Sequence, residues 1–260
     1  ETVEKMAKYG LLGIPFPTKY GGMGGDEVSY SITVSELAKV CASTSVIVSA
    51  HTSLCCWPIY KYGTEDQKMK YLPELLSGKK LGAFGLTEPN AGTDASGQQT
   101  RAELDGDEWV LNGAKCFITN GGYAEVFVVM AMTDKSKGNH GISAFIVEKN
   151  DPGFSIGKTE DKMGICASST TELIFQNCRI PKDRLLGGLG KGFKVAMQTL
   201  DGGRIGIASQ ALGIAEGALE VTIEYMKQRK QFGKKLAQMQ ALQFVVADLA
   251  TKVEAAKLLV

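Results

Sequence analysis

The sequence is poor in histidine and lacks any long apolar run, and both absences narrow the range of functions. Only two histidines, His51 and His140, occur among its 260 residues, far apart and without a suggestive context. We therefore expect neither a histidine metal cluster nor a Ser-His-Asp arrangement. No apolar stretch reaches the roughly 20 residues that a membrane-spanning helix needs, so no membrane span is predicted.

Excess charge and paired cysteines are absent as well. The net charge is +1, which gives no bulk attraction for nucleic acid. The six cysteines have no CxxC spacing and stand among apolar residues, a pattern that favours reduced, buried thiols over a disulfide framework or a zinc site. They are Cys41, Cys55, Cys56, Cys116, Cys166 and Cys178.

Helical patterns fill the first third of the chain. Residues 1–12 predict a helix that ends at Gly13, and Asp26 is a good N-cap for the next helix. The run Ser43–Tyr62 is almost wholly apolar or small, which is typical of a buried helix that Pro58 kinks or restarts. Thr64-Glu-Asp-Gln67 is a capping-box pattern that opens a further helix through Leu76.

After residue 97 the apolar period changes from that of helices to that of strands. Short alternating or continuously apolar runs are separated by Gly and Asp turns, with Asp105-Gly106 as a strong hairpin signal. These runs predict a small antiparallel barrel or sandwich. They are Gln99–Glu103, Glu108–Asn112, Val126–Met132, Ile142–Glu148, Phe154–Thr159 and Thr171–Asn177.

Two long helical patterns close the chain, over about Phe193–Lys227 and from about Ala237 onwards. Two helices cannot bury their own apolar faces, so we expect further helices of a bundle or a neighbouring subunit to cover them. The chain opens inside a helical pattern and stops inside another at Lys257-Leu-Leu-Val260, which favours a fragment of a longer protein. The fold class is therefore α+β, divided into residues 1–81 (helical), 82–183 (β) and 184–260 (first helices of a bundle).

The stretch Gly82–Gly97 lies where the pattern changes from helix to strand, and it favours a ligand loop. Its glycines expose backbone N–H groups, and Thr87, Thr93 and Ser96 add hydroxyls. A turn without a ligand is the alternative. The later segment Cys116-Phe-Ile-Thr-Asn-Gly-Gly122 fits two interpretations equally well: a site that stacks on a planar cofactor, and a core strand that ends in a turn.

Two charged segments leave similar alternatives open. Asp201 and Arg204 share one helix face, so they either pair with each other or hold a polar substrate. The glycines between them cost about 1 kcal/mol each in a helix relative to Ala, which indicates a close approach to the backbone. In the basic segment Lys227–Lys235, Arg229 either binds a phosphate or belongs to a solvated turn.

These segments, in this order, resemble the acyl-CoA dehydrogenase family, and among its members the bacterial short-chain (butyryl-CoA) dehydrogenases. The family signature Gly-Leu-Thr-Glu-x-x-x-Gly-Thr-Asp-x-x-Gly is matched at Gly85–Gly97. Further matches are Phe117-Ile-Thr119-Asn-Gly, Lys162-Met-Gly, Asp201-Gly-Gly-Arg204 and Arg229-Lys-Gln-Phe-Gly-Lys234. The resemblance covers essentially the whole chain.

The resemblance implies three domains: an N-terminal helical domain, a middle β domain and a C-terminal four-helix bundle. It also implies FAD as cofactor. The cofactor-binding residues would be the run Phe84, Gly85, Leu86, Thr87, Glu88, Pro89, Asn90, Ala91, Gly92 and Thr93, with Phe117, Ile118 and Thr119 at the flavin ring. Arg229, Phe232 and Gln240 would serve the FAD of an adjacent subunit. Substrate contacts would come from Thr93, Asp201, Gly202, Gly203 and Arg204.

The implied reaction is α,β-dehydrogenation of a short-chain acyl-CoA, with electrons passed to an electron-transferring flavoprotein. A homotetramer is implied, in the cytoplasm of a bacterium or in the mitochondrial matrix. The glutamate base of most members lies beyond residue 260, and Gly203 stands where some branches place it, so we expect no catalytic residue in this chain. Glu88 is better interpreted as structural. An acyl-CoA oxidase of the same fold and a non-catalytic acyl-CoA or flavin-binding module remain the alternatives.

Overall fold

The computed structural model describes residues 1–260 and begins with a group of helices. The Asp26 carboxylate accepts the N–H of Ser29 at 2.8 Å, and Thr64 forms the expected capping box with Gln67. The helix predicted over 1–12 ends at Lys8, because Gly10 turns the chain with a φ of 71°. The elements are α1 (Thr2–Lys8), α2 (Glu27–Val40), α3 (Ala42–Ser49), a π-helical segment (Ala50–Cys56), α4 (Trp57–Tyr62) and α5 (Glu65–Leu76).

The middle of the chain forms one eight-stranded sheet in the order β6-β7-β3-β2-β4-β5-β8, with β1 also paired to β4. Most neighbours are antiparallel, but β1 and β2 each pair with β4 in parallel. The strands are β1 (Gly82–Gly85), β2 (Arg101–Asp105), β3 (Glu108–Thr119), β4 (Val126–Met132), β5 (Ile142–Glu148), β6 (Phe154–Thr159), β7 (Thr170–Pro181) and β8 (Leu185–Leu186).

Four predictions need correction, one of which is the strand at Glu108–Asn112, because β3 continues to Thr119 by pairing with β7. The first four residues of the predicted loop Gly82–Gly97 are strand β1, all buried, because their backbone pairs with β4. The strand predicted at Gln99–Glu103 lies two residues later, at Arg101–Asp105. The strand predicted at Thr171–Asn177 extends to Pro181, where it continues to pair with β3 across a bulge.

Strand β4 separates two apolar cores, which explains its unbroken apolar sequence. On one face, Val126 and Val128 pack with helical residues such as Leu72. On the other face, Phe127 and Val129 pack with side chains of β3, β5 and β7 inside the curled sheet. These contacts hold the sheet against the helices, next to the site described below.

The end of the chain is a long helix, a hairpin and a second helix: α6 (Gly192–Gln228), β9 (Lys230–Gln231), β10 (Lys234–Lys235) and α7 (Gln240–Leu259). Helix α6 packs against α2 through glycines. A Cβ at Gly213 would lie 2.1 Å from the Ser35 carbonyl oxygen, so only glycine allows this approach. No residue of α7 is buried, in agreement with the prediction that its apolar face needs a partner.

None of the helices combines the length and apolar character needed to cross a membrane.

Candidate functional site

The predicted loop within Gly82–Gly97 lies directly against strand β3. The Thr87 carbonyl accepts the Cys116 N–H at 2.9 Å, so the loop runs beside the segment that carries Phe117. Glu88 and Ala91 exchange backbone hydrogen bonds at 3.1 Å, which makes a tight turn of the residues between them. The structure thus brings together two segments that the sequence singled out separately.

A buried ion pair lies beneath this loop. The Lys115 ammonium is fully buried and contacts the Glu88 carboxylate at 2.7 Å. Glu88 also accepts the backbone N–H groups of Gln99 and Thr100. The carboxylate is therefore fully occupied by protein groups, as expected for a structural residue, and any contact of Glu88 with a cofactor would come from its main chain.

Burial and pairing act against each other on these two groups. Burial raises the pKa of Glu88, but the charge and hydrogen bond of Lys115 and the two backbone donors outweigh it and leave the pKa below its ordinary value. Burial lowers the pKa of Lys115 to about 8, against the opposing effect of the Glu88 charge. The lowered pKa makes the Glu88 carboxylate a weak base, and its oxygens are occupied by Lys115 and the two backbone N–H groups, so Glu88 is poorly suited to accept a proton from a substrate.

Phe117 stands in an unusual conformation at the end of β3. Its φ is 59°, in the left-handed region, and its ring is 63% exposed. The pairing of β3 with β7 is irregular between Lys115 and Ile118, and this bulge turns Phe117 out of the sheet. An exposed aromatic held in a strained conformation is a frequent feature of ligand sites.

An apolar cavity of about 500 Å³ joins the end of β3 to the helices, a size that suits a small-molecule site. Thr119 lies at its wall together with Gly203 and Arg204 of α6, so predicted cofactor and substrate residues meet there. The remaining lining residues are Val46, Ser49, Ala50, Ser53, Leu54, Leu200, Ile207, Ala208 and Ala211, and no carboxylate is among them.

The substrate residues predicted on α6 adopt one of the two arrangements that were left open, in which Asp201 and Arg204 pair with each other. The Arg204 guanidinium donates to the Asp201 carboxylate at 2.6 Å, and both side chains are exposed. A Cβ at Gly203 would lie 2.9 Å from the Leu54 side chain, so the protein itself makes the close approach there. Gly202 has open space instead, and nothing lies within 4 Å of a Cβ built on it.

The remaining predicted cofactor residues lie on or beside the hairpin of β9 and β10: Phe232 is at its tip, Arg229 directly precedes it, and Gln240 is the first residue of α7. Arg229, Phe232 and Gln240 are all exposed, and Phe232 is 95% exposed at the hairpin tip. Phe232 and Gly233 both have positive φ, at 51° and 71°, as a two-residue turn between right-twisted strands requires. These residues project from the chain, an arrangement suited to contact with another molecule.

His51 is a buried residue that connects elements around the site. Its Nδ1 accepts the Gly82 N–H at 2.9 Å, so Nε2 carries the proton and donates to the Leu75 carbonyl at 3.1 Å. Complete burial lowers its pKa to about 4. His51 therefore stays neutral and connects the π-helical segment, which lines the cavity, to β1 and α5.

Sequence reasoning missed Lys115 and the role of His51. Lys115 lies in β3 between Ala114 and the apolar run Cys116-Phe-Ile, a signal that could have been noticed because a buried cation requires acceptors. The π-helical segment carries no such signal, since its sequence matches an ordinary buried helix.

Three family models match successive parts of the chain. They are the acyl-CoA dehydrogenase N-terminal domain at residues 1–79, the middle domain at residues 83–178 and the C-terminal domain at residues 190–260.

Curated relatives give the same result. A short-chain specific acyl-CoA dehydrogenase of Clostridium acetobutylicum is 60% identical over 260 residues, which are 100% of this chain and 69% of that protein. A mitochondrial short-chain specific acyl-CoA dehydrogenase of Mus musculus is 50% identical over 99% of this chain and 62% of its own length.

Solved structures share the fold closely. Butyryl-CoA dehydrogenase from Megasphaera elsdenii superposes with a TM-score of 0.96 at 57% identity, over 98% of this chain and 68% of that one. A chain from work on the electron transferring flavoprotein of Acidaminococcus fermentans gives a TM-score of 0.98 at 60% identity, over 99% and 68%. An acyl-CoA dehydrogenase complexed with FAD from Bacillus anthracis gives 0.93 at 40% identity, over 98% and 43%.

Proposed function

The chain belongs to the acyl-CoA dehydrogenase family, and from this premise we propose that the protein is a FAD-dependent short-chain acyl-CoA dehydrogenase. The observation that carries the proposal is the cavity at which Thr119 of the β domain meets Gly203 and Arg204 of α6. It is apolar enough for a short acyl chain and bordered by polar groups at its rim. Relatives at 60% and 50% identity are short-chain specific enzymes, which supports the chain-length assignment.

The residues around Phe117 fit a flavin. The bulge leaves the Phe117 ring 63% exposed beside Thr119, so a planar ring system would find an aromatic surface and a hydroxyl donor together. The loop from Phe84 to Thr93 would supply backbone N–H groups and the Thr87 and Thr93 hydroxyls to the rest of the cofactor. When bound, FAD would serve as the acceptor of the hydride that leaves the β-carbon.

The chain's own residues would bind, orient and desolvate the substrate. The apolar wall formed by residues such as Leu54 and Leu200 would exclude water from the reacting carbons, which strengthens electrostatic interactions in the site. We propose that Arg204, Asp201 and Gly202 contact the acyl-CoA at the exposed rim, where the side chains are accessible and Gly202 leaves open space.

The proton acceptor for the α-carbon would come from outside these 260 residues. No Asp or Glu lines the cavity, and Glu88 is engaged by Lys115. The chain spans 69% of the length of the Clostridium relative, which leaves room in such a protein for a carboxylate on a further helix. We therefore propose that this chain alone binds ligands without turning over substrate.

Partners and location are proposed on the same basis. An electron-transferring flavoprotein would receive the electrons, a pairing that a similar structure from work on such a flavoprotein supports. Arg229 and Phe232 at the exposed hairpin, with Gln240 at the start of α7, would reach the FAD of a neighbouring subunit in a homotetramer. The location would be the bacterial cytoplasm, or the mitochondrial matrix for a eukaryotic source, as the name of the mouse relative states for that protein.

Steady-state turnover of the full-length, FAD-loaded protein tests the proposal. We expect activity with an artificial electron acceptor to be highest on butyryl-CoA and to fall through hexanoyl-, octanoyl- and palmitoyl-CoA. We expect the reduced protein to react slowly with oxygen. Fast oxygen consumption would instead identify an acyl-CoA oxidase, and no turnover of any thioester would support a binding module.

A further inference from the structure

The ion pair between Lys115 and Glu88 contacts both ends of the segment Leu86–Thr100, which we call the ligand loop. Lys115 donates to the Leu86 carbonyl at 3.1 Å, to Glu88 at 2.7 Å and to the Gln98 side-chain oxygen at 3.1 Å. Leu86 and Glu88 open the loop, and Gln98 lies near its end. A single ammonium group on strand β3 therefore binds residues at both the start and the end of the loop.

Glu88 extends this arrangement to the last residues of the loop. Its two carboxylate oxygens accept the N–H groups of Gln99 at 2.5 Å and Thr100 at 3.0 Å. Gln98 also donates to the Ala95 carbonyl at 3.1 Å. The exposed residues of the loop, among them Gly92 and Thr93, thus project between two fixed ends.

If the ion pair only stabilised the fold, it would do so at a large cost in desolvation free energy. Lys115 is fully buried and the Glu88 side chain is 5% exposed, so both charges are removed from water. Such a pair often stabilises a fold no better than apolar residues of the same volume would. What an apolar pair cannot provide is directed hydrogen bonds to four points of the loop: the Leu86 carbonyl, the Gln98 side chain and the N–H groups of Gln99 and Thr100.

We propose that Lys115 and Glu88 are positioning residues that hold the ligand loop in the shape that binds FAD. The inference rests on the proposed function, because it takes FAD as the ligand of the loop. Neither charge reaches the reacting atoms; both act through the loop, whose N–H groups and hydroxyls they orient.

The competing explanation is that the pair only stabilises the sheet, and a double substitution separates the two. Lys115→Met alone leaves the Glu88 charge buried without a partner, so a loss of both folding stability and FAD affinity is expected under either explanation. Lys115→Met combined with Glu88→Gln leaves no unpaired charge and retains side chains of similar size. This double variant should regain stability without regaining the three bonds from the ammonium.

The experiment measures FAD dissociation constants by fluorescence titration and melting temperatures of the full-length apoprotein. We expect the double variant to melt close to the wild type while its FAD dissociation constant stays raised roughly 10- to 100-fold, because the hydrogen bonds from the ammonium that orient the loop are lost. Arg179→Met is the matched control, since Arg179 pairs with Asp105 and Glu108 on the exposed side of the same sheet. It should leave FAD affinity unchanged.

An FAD dissociation constant equal to that of the wild type in the double variant would overturn the proposal. A loss of FAD affinity that is proportional to the fall in melting temperature in every variant would overturn it as well. If the double variant does not fold, Gln98→Met removes one arm alone and should raise the dissociation constant several-fold; an unchanged value would overturn the proposal. If the wild type binds no FAD, the proposed function fails. Hydrogen exchange of the apoprotein then decides: faster exchange of the Gln99 and Thr100 amides in the double variant supports positioning, and unchanged exchange refutes it.

Discussion

Phe117 shows at the scale of one residue how the site uses backbone strain. A non-glycine residue at a φ of 59° costs of order 1 kcal/mol, and exposing an aromatic ring gains nothing for the fold. The bulge in β3 enforces both the positive φ and the exposure of the ring. The strain is therefore a structural cost, and the flavin proposed to lie on the exposed ring would account for it.

Substitution of Phe117 separates folding from ligand binding. Phe117→Gly should raise the free energy of unfolding of the apoprotein by about 1 kcal/mol through relief of the positive φ, and it should weaken FAD binding at the same time. Denaturant unfolding and FAD titration measure the two effects. Tyr123→Ala, at another exposed aromatic, is the control and should change neither. A loss of apoprotein stability in Phe117→Gly would contradict the account.

His51 makes the fold sensitive to acid. Its pKa falls from 6.5 in the unfolded chain to about 4 in the folded one, because burial disfavours the charged ring. Between these values the unfolded chain binds a proton that the folded chain does not, so the free energy of unfolding decreases as pH falls. The full difference is about 3 kcal/mol.

The pH dependence of stability checks this assignment. In the wild type, unfolding free energy should decline between about pH 6.5 and about pH 4, and His51→Gln should reduce that slope despite lower stability at neutral pH. The exposed His140 provides the control substitution, His140→Gln, which should retain the slope. A slope that His51→Gln leaves unchanged would assign the acid sensitivity to other groups.

At the scale of elements, the glycines of α6 have different roles although their sequence contexts look alike. Gly213 meets the Ser35 carbonyl of α2, Gly203 meets Leu54, and Gly202 faces open space. The sequence alone indicated a close approach near Gly202 and Gly203 but not which residue approaches. That distinction depends on the crossing of α6 with α2 and the π-helical segment, which no local pattern specifies.

Alanine substitutions should therefore change stability in opposite directions. Gly213→Ala forces overlap with a backbone oxygen and should lower the unfolding free energy by about 1–3 kcal/mol. Gly202→Ala meets no atom and should raise it by about 0.5–1 kcal/mol through helix propensity, while weakening acyl-CoA binding if that surface holds substrate. Denaturant unfolding of the apoprotein measures both. Equal losses at the two positions would contradict the packing described here.

Helices, strands and turns are predicted well from the sequence where local interactions determine them. The capping box at Thr64 and strands β4, β5 and β6 occur where predicted, and the predicted hairpin forms with its turn one residue later, at Gly106-Asp107. Strand β1 was missed because its Gly-Ala-Phe-Gly sequence indicates a loop and becomes a strand only through tertiary pairing with β4. The site was predictable as separate segments, whereas Lys115 joins them through contacts 17 to 29 residues apart.

At the scale of the whole molecule, the uncovered face of α7 shows that these 260 residues do not satisfy their own apolar surface. Phe244, Val245 and Leu249 lie on a helix without one buried residue. The proposed division into residues 1–81, 82–183 and 184–260 gives the last part only a long helix, a small hairpin and α7. Further helices of the bundle or another subunit would cover the face.

This chain, expressed alone, should therefore self-associate through α7. Val245→Gln combined with Leu249→Gln should lower both the average mass by light scattering and the binding of an apolar dye, because exposed apolar area drives association. Lys252→Gln, on the same helix, is the polar control. A monomeric wild-type chain that binds no dye would show that the face needs no partner.

Anaerobic titration of the full-length, FAD-loaded protein with acyl-CoA thioesters tests the central claim most directly, because it follows the chemical step without any partner protein. We predict that butyryl-CoA bleaches the visible absorption of the flavin at near-stoichiometric amounts and that palmitoyl-CoA does so poorly. A flavin that stays oxidised with every acyl-CoA would contradict the account.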